Sequence, residues 1–160
     1  MKWFIKCLKQ YADFKGRARR REYWMFVLFL FLIQFVVGVV FGLVYKQLHG
    51  SVVYQYQVQD FMRATRIMQI CVALPTVLPT LAAQTRRLHD IGESGWFLPP
   101  FWVLVLIMQF LPGLIDDCPY LLIIYPIVGV LGIWLLIKLA RDSKPGMNKY
   151  GANPKELEPK

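Results

Sequence analysis

From Tyr23 to Tyr45 the chain runs 23 residues without one charged side chain. A helix rises 1.5 Å per residue, so about 20 apolar residues cross a hydrocarbon core of about 30 Å. Phe, Leu and Val fill the run on every side and leave no polar face with which a surface helix could meet water. The run therefore dictates a membrane span. Three further apolar stretches follow the same rule: Ile67 to Thr85, Trp96 to Ile115 and Tyr120 to Leu139. Pro75 and Pro79 interrupt the second, which a bundle tolerates because neighbours re-satisfy the freed carbonyls. Pro99 and Pro100 sit where the third begins, at positions whose amide hydrogens are unused anyway. The fourth holds Pro126 and ends at Lys138, whose ammonium can snorkel to the headgroups. Only 18% of the 160 residues are charged, against about a quarter in a soluble domain, and the spans leave no room for a separate catalytic domain.

Orientation follows from Lys and Arg, which accumulate in cytoplasmic segments. Eight precede Tyr23, three lie between Lys46 and Arg66, two between Arg86 and Gly95, and five from Arg141 onward. Both termini inside gives 15 cytoplasmic positive charges against 3 outside, leaving out Lys138. Tyr23, Trp24, Tyr45, Trp96, Tyr120 and Trp134 then fall near the two interfaces, where amphipathic rings are favoured. The first run is about twice as long as a signal-peptide core and lacks a small-x-small cleavage site, so it reads as an uncleaved signal anchor. Cys7 falls inside, Cys71 within the second span and Cys118 at the outer corner, which leaves no disulfide pair and no Cys-x-x-Cys signature.

Two polar segments stand out. The first, Phe14 to Trp24, carries a dense run of positive charge from Lys15 to Arg21 directly before a span. Its plain reading is a topology anchor; its sharper one is a headgroup or partner site, because guanidinium binds phosphate bidentately. Nucleic acid is not an expected partner, since no binding module or aromatic stacking platform accompanies the charge. The second segment, Arg86 to Phe97, lies between spans two and three. On a continuing helix Arg86 and Asp90 are four apart and Arg87 and Asp90 three apart, so either arginine can pair with the carboxylate. Gly92 is then a helix stop and Gly95 a tight reversal. A functional reading groups Arg86, Arg87, His89, Asp90 and Ser94 into a polar site for an anionic group or for proton passage. One His with two carboxylates is short of a metal set, and His49 stands alone in the outer loop.

These segments carry a resemblance. Phe14-x-Gly16-Arg17-x-Arg19-Arg20-x-Glu22-Tyr23-Trp24, Arg86-Arg87-Leu88-His89-Asp90-x-Gly92-x-Ser94-Gly95-Trp96 and Asn148-Lys149-Tyr150-Gly151-x-Asn153-Pro154 together resemble the YhaH-like family of small bacterial inner-membrane proteins, domain of unknown function 805, over about residues 4 to 154. The resemblance implies a multi-pass inner-membrane protein with cytoplasmic motifs, and no activity to transfer. Ala152 stands where many members are expected to have Pro.

Within the bilayer, Gly38 and Gly42 form Gly-x-x-x-Gly, and Gly129 and Gly132 leave another small-residue groove; packing within the chain is the default use, a homo-oligomer contact the other. Gln34, Thr76, Thr80 and Gln109 are expected to hydrogen-bond between helices. No Asp, Glu or Arg occupies a span centre, which weakens an ion-coupled transporter. The alternating Val52 to Gln59 suggests a strand or an interfacial amphipathic segment, and Pro112, Gly113, Asp116, Asp117 and Pro119 suggest a turn. The tail is expected to pack locally at best.

The expectation is an all-α membrane protein, a bundle of four transmembrane helices with short loops and cytoplasmic termini. Residues 1–22 form a basic segment, 23–139 the membrane domain and 140–160 a cytoplasmic tail. Arg17, Arg19, Arg20, Arg86, Arg87, His89, Asp90 and Ser94 form a cluster that binds anionic lipid or a protein partner, with no cofactor or metal. A small oligomeric transporter or channel is the second reading. A lipid-headgroup enzyme, using His89 with Asp90 or Glu93, is the third, without a recognisable nucleophile.

Overall fold

A computed structural model describes residues 2–49, 55–110 and 121–156. It contains α1 (Lys2–Lys9), α2 (Arg20–His49), α3 (Gln55–Asp90), α4 (Leu98–Phe110) and α5 (Leu121–Ala140). Among the described residues there is no strand; an isolated bridge between Asn148 and Gly151 closes a turn in the tail. Three helices, α2, α3 and α5, are long and apolar enough to cross a membrane. The 13 described residues of α4 extend only about 20 Å. The rest of the expected third span, the corner with Pro112 to Pro119, and Cys118 lie outside the described residues.

The expected loop from Lys46 to Arg66 is mostly helix. α2 continues to His49 and α3 begins at Gln55, so Gln55 to Gln59 are helical and not the strand their alternation suggested. Alternation over a run as short as Val52 to Gln59, of which Val52 to Tyr54 lie outside the described residues, is a weak signal, and it loses to the 36-residue helix that the following sequence sustains. Asp60 and Arg63 form an exposed i,i+3 ion pair on this end of α3.

α3 passes through both prolines without breaking. Pro79 has no N–H for the carbonyl of Pro75, four residues back. Tyr11 supplies the missing donor: its hydroxyl donates to the Pro75 oxygen at 2.6 Å. Thr76 and Thr80 turn their hydroxyls back onto the helix, onto Val72 and Ala73 and onto Thr76 itself. They do not reach other helices.

α1 was not foreseen. Eight residues are too few to hold a helix in water on their own, and the short basic segment gives little hint of one. It forms because Phe4 stacks on Phe26 at 5.7 Å and meets Phe29, while Cys7 is fully buried beneath it. Lys6 closes the contact with Glu22 at 2.7 Å.

The apolar core lies at one end of the bundle. Cys7, Tyr23, Phe26, Ala83, Leu88, Leu98, Leu135 and Leu139 form its buried cluster, so all five helices contribute there. Further along α2 many apolar side chains face outward, with Phe31 63% and Leu43 63% exposed, while Phe41 and Tyr45 stay against Phe61 of α3.

Candidate functional site

The basic end of the bundle is tied around Asp90. Arg17 Nε donates to Asp90 Oδ1 at 3.0 Å and Arg87 Nη1 donates to Oδ2, and all three side chains are withdrawn from solvent. Arg17 spends every remaining donor on backbone. Its Nη1 reaches the carbonyls of Gly146 at 2.8 Å and Gly151 at 3.2 Å, and its Nη2 reaches those of Lys144 at 2.6 Å and Asp90 at 3.3 Å. A guanidinium has five N–H groups, and here all five are engaged. Arg87 caps α5: Nε donates to Leu139 O at 3.0 Å and Nη2 to Arg141 O. The final carbonyls of a helix have no partner of their own and carry partial negative charge, so a buried guanidinium satisfies both needs.

Arg86 goes the other way. It donates to the carbonyls of Gln10 and Asp13, and its own carbonyl accepts from the Ala18 amide at 3.0 Å, which fastens the N-terminal segment to α3. The expected pairing with Asp90 is therefore made by Arg87 and not by Arg86. Arg20 reaches Ala140 O at 3.4 Å, and Arg19 is half-buried at the same end. The sequence-predicted cluster of Arg17, Arg86, Arg87, His89 and Asp90 is thus brought together, but its arginines are turned inward.

The turn after α3 is a Schellman closure. Gly92 has φ +85°, its amide donates to His89 O at 3.0 Å, and the Glu93 amide donates to Leu88 O at 2.9 Å. Gly95 serves closeness, not handedness: a Cβ there would stand 2.8 Å from Thr85 Cγ2. Glu93 pairs with Lys138, which joins this turn to α5.

The tail does far more than pack locally. The Lys144 amide donates to Asp90 O at 3.1 Å and Asn148 Nδ2 donates to His89 O at 2.9 Å. Tyr150 lies flat on the His89 ring, centroids 3.7 Å apart and planes 5° from parallel. The Lys149 ammonium sits over the same tyrosine ring, 4.9 Å from its centroid. Lys155 hydrogen-bonds Asp142 and holds its carboxyl below the ordinary carboxylate range. Composition gave no reason to expect this, because Lys, Pro, Gly and Asn read as an extension. The usable signal was the Asn148-Lys149-Tyr150-Gly151 motif, whose Gly151 sits at φ +126° with its carbonyl aimed at Arg17.

His89 and Ser94 differ from the arginines in being open. They line a cavity of about 470 Å³ with Phe14, Thr85, Trp96 and Tyr150. His89 Nδ1 lies 3.2 Å from Gly16 O; a carbonyl only accepts, so Nδ1 carries the hydrogen and Nε2 is left for another partner. Thr85 is already bonded to Leu81 O. The cavity wall is mainly apolar, and Trp96 beside it is 86% exposed.

Of the four glycines expected to serve packing, Gly38, Gly42 and Gly129 meet no atom within 4 Å of a built Cβ, and Gly132 meets only Phe101. Burial raises the Cys7 thiol to about 11, with Glu22 beside it adding to the shift. Among the described residues, no group of three His, Cys, Asp or Glu is placed to hold a metal.

The family model described as protein of unknown function, DUF805, matches residues 11–152. Inner membrane protein YhaH of Escherichia coli strain K12 is 31% identical over 99% of this chain and 100% of its own length. Inner membrane protein YhaI of the same strain is 30% identical over 97% of both. No solved structure matches. The match spans the N-terminal arginine segment, the α3 end and the Asn148 to Gly151 turn that close on one another here, and the chain belongs to the DUF805 family.

Proposed function

We propose that the chain is a four-span protein of the bacterial inner membrane, with both termini cytoplasmic, that binds an anionic phospholipid in the cavity bounded by His89, Tyr150 and Trp96. It acts by binding, as a membrane component, and not by chemistry. The location is supported by relatives named as inner membrane proteins and by helices of crossing length. The span count rests on the apolar stretch from Trp96 to Ile115, to which α4 belongs, and the orientation on the 15 to 3 excess of positive charge.

One observation carries the ligand: the cavity is apolar-walled with a few polar groups, and it lies beside the last turns of α3, at the end of the bundle where the arginines collect. Such a place suits a molecule with an acyl chain and a polar head. The Nε2 of His89 and the hydroxyls of Ser94 and Tyr150 are the groups offered to the head. Lys149 over Tyr150 and exposed Lys15, next to Phe14, give the rim a positive charge that favours a phosphate. The buried arginines act one step back, by holding α3, the N-terminal segment and the tail around the opening.

Native mass spectrometry of the full-length protein, purified with its own lipids, tests this. Wild type is expected to retain phosphatidylglycerol or cardiolipin in preference to phosphatidylethanolamine. Ser94→Trp fills the cavity without touching the Arg17–Asp90–Arg87 tie, and is expected to release that lipid while keeping the wild-type melting temperature in lipid-free detergent. Equal retention by wild type and Ser94→Trp, or no headgroup preference, overturns the reading.

A further inference from the structure

One face of α3 carries Thr65, Gln69, Ala73, Thr76, Thr80 and Gln84, spaced three or four residues apart, so they form a single row along the helix. Ala73 alone among them has no polar group. From Thr65 to Gln84 the row runs about 28 Å, close to the thickness of a hydrocarbon core. Three hollows of about 150, 170 and 340 Å³ follow it, and Gln34 of α2 lines all of them. The first two also share Gln69, and the last two share Ala73 and Val77, so the three are stages of one cleft between α2 and α3.

We propose that this cleft is a hydrated binding site for a small uncharged solute that both donates and accepts hydrogen bonds, an amide or a polyol, entered from the end of the bundle away from the arginines. Thr65 stands two residues from Arg63, whose ion pair with Asp60 is exposed, so water reaches that end. The other end is closed: Gln84 and Tyr23 are buried there, and Gln84 Oε1 accepts from Trp102 Nε1 at 2.8 Å. The row offers bonds of both senses. Thr76 and Thr80 spend their hydrogens on carbonyls of α3, which leaves their oxygens as acceptors, while the Gln34 carboxamide carries N–H and C=O alike. Thr65 Oγ1 is shut off from solvent with no hydrogen-bond partner among the described residues. An acyl chain filling the cleft would satisfy none of these groups. No charged side chain lines any of the three hollows, so an ion would find no counter-charge at this depth. The inference requires α2 and α3 to cross the bilayer and is independent of the lipid cavity beside His89.

Cysteine labelling of the full-length protein in native membranes tests it, with Cys7 and Cys118 changed to Ala throughout. Ala73→Cys and Thr76→Cys, each with Cys71→Ala, stand in the row and are small changes. Cys71 itself and Leu78→Cys, the latter with Cys71→Ala, are exposed on α3 two residues from row members on either side, which turns them about 200° away into lipid. Met147→Cys, 84% exposed in the tail, is the reference in water. The probe is iodoacetamide, itself a small uncharged amide; iodoacetate is its charged counterpart. The thiolate is the reacting form, and it needs water around it. Relative to Met147→Cys, the row positions are expected to react with iodoacetamide about tenfold faster than the lipid-facing pair, and to be nearly inert to iodoacetate. Acetamide or glycerol in large excess is expected to slow labelling of Thr76→Cys and not of Met147→Cys, and the one that protects names the class. Row positions no faster than the lipid-facing pair, equal entry of iodoacetate, or failure of both solutes to protect would overturn the proposal.

Discussion

The two ends of α2 live under different rules. At its start, Glu22 is buried and Tyr23 and Phe26 belong to a cluster to which all five helices contribute, at the end of the bundle that holds a carboxylate shared by two guanidinium groups. From Phe31 onward the same helix is largely bare, and its apolar side chains face outward. In water the second region would be the unstable one. In lipid it costs nothing to leave apolar side chains uncovered, because the tails are as apolar as leucine, and little holds helices together there except shape and polar contacts. Specificity is therefore concentrated where the polar groups are. The charged end decides which elements meet; the apolar stretch decides only that they cross.

This contrast is breakable. The largest effect is expected from Asp90→Ala, which strands Arg17 and Arg87 as buried charges without a counter-ion. Loss of one partner from such a site costs about 3–5 kcal/mol. The melting temperature in detergent should fall sharply, and trypsin should cut after Arg141 and Lys149 in protein that resists it as wild type. Charge reversal at Asp90 should fail to rescue reversal at Arg87, because the new cation would face buried Arg17 and the Leu139 and Arg141 carbonyls would still lack their donor.

Arg17→Lys is the next test. An ammonium keeps the charge but has three donors on one atom and cannot reach the four backbone carbonyls that the fork spans. A loss of about 1.5–3 kcal/mol is expected, the size of a hydrogen bond to a charged group. If Lys substitutes without loss, the tail is held by charge alone and the donor geometry is incidental.

Tyr150→Ala removes the stack on His89 and should cost about 0.5–1.5 kcal/mol, read as faster amide exchange at Lys144 and Asn148 with little change in α2. Cys7 offers a pH test of the same end. Its pKa rises from an ordinary value near 9 to about 11 on folding, because burial disfavours the thiolate. The folded state thus binds the proton more tightly, and the stability tied to this group is complete below pH 9 and is lost as pH climbs through 11. Wild type should lose stability over that window relative to Cys7→Ala, and a water-soluble alkylating reagent should leave Cys7 untouched at neutral pH. A flat difference between the two across pH 9 to 11 would place the thiol in contact with water. At the other extreme, Val40→Ala on the bare face of α2 should shift stability by no more than about 0.5 kcal/mol.

Much of this was legible from residues alone. The 23-residue uncharged run demands a crossing helix, and α2 provides it; Arg87 and Asp90 at i,i+3 predict the pair that forms; Gly92 predicts the stop, with positive φ, where α3 ends. These are local consequences of periodicity, backbone conformation and side-chain reach. The gathering of Arg17, Arg86, His89 and Asp90 at one place could also be expected, since both segments emerge at the same end of a small bundle.

What they do there could not. Arg17 finds carbonyls 127 to 134 positions away, and no spacing rule operates at that distance. Arg86 and Arg87 are neighbours of one chemical kind, yet one fastens the N-terminal segment and the other caps α5, because adjacent residues on a helix point about 100° apart and only the packing decides what lies in each direction. Tyr11 answering the carbonyl freed by Pro79, and α1 existing at all, depend likewise on what α2 and α3 bring alongside. The sequence by itself determined the crossing helices, their breaks and the end at which charge collects, since these follow from solvent preference and local geometry. Only the tertiary structure decided that the arginines are spent inward and that His89, Ser94 and Tyr150 are left facing an open cavity, because a guanidinium looks the same in sequence whether its partners are backbone carbonyls or lipid phosphates.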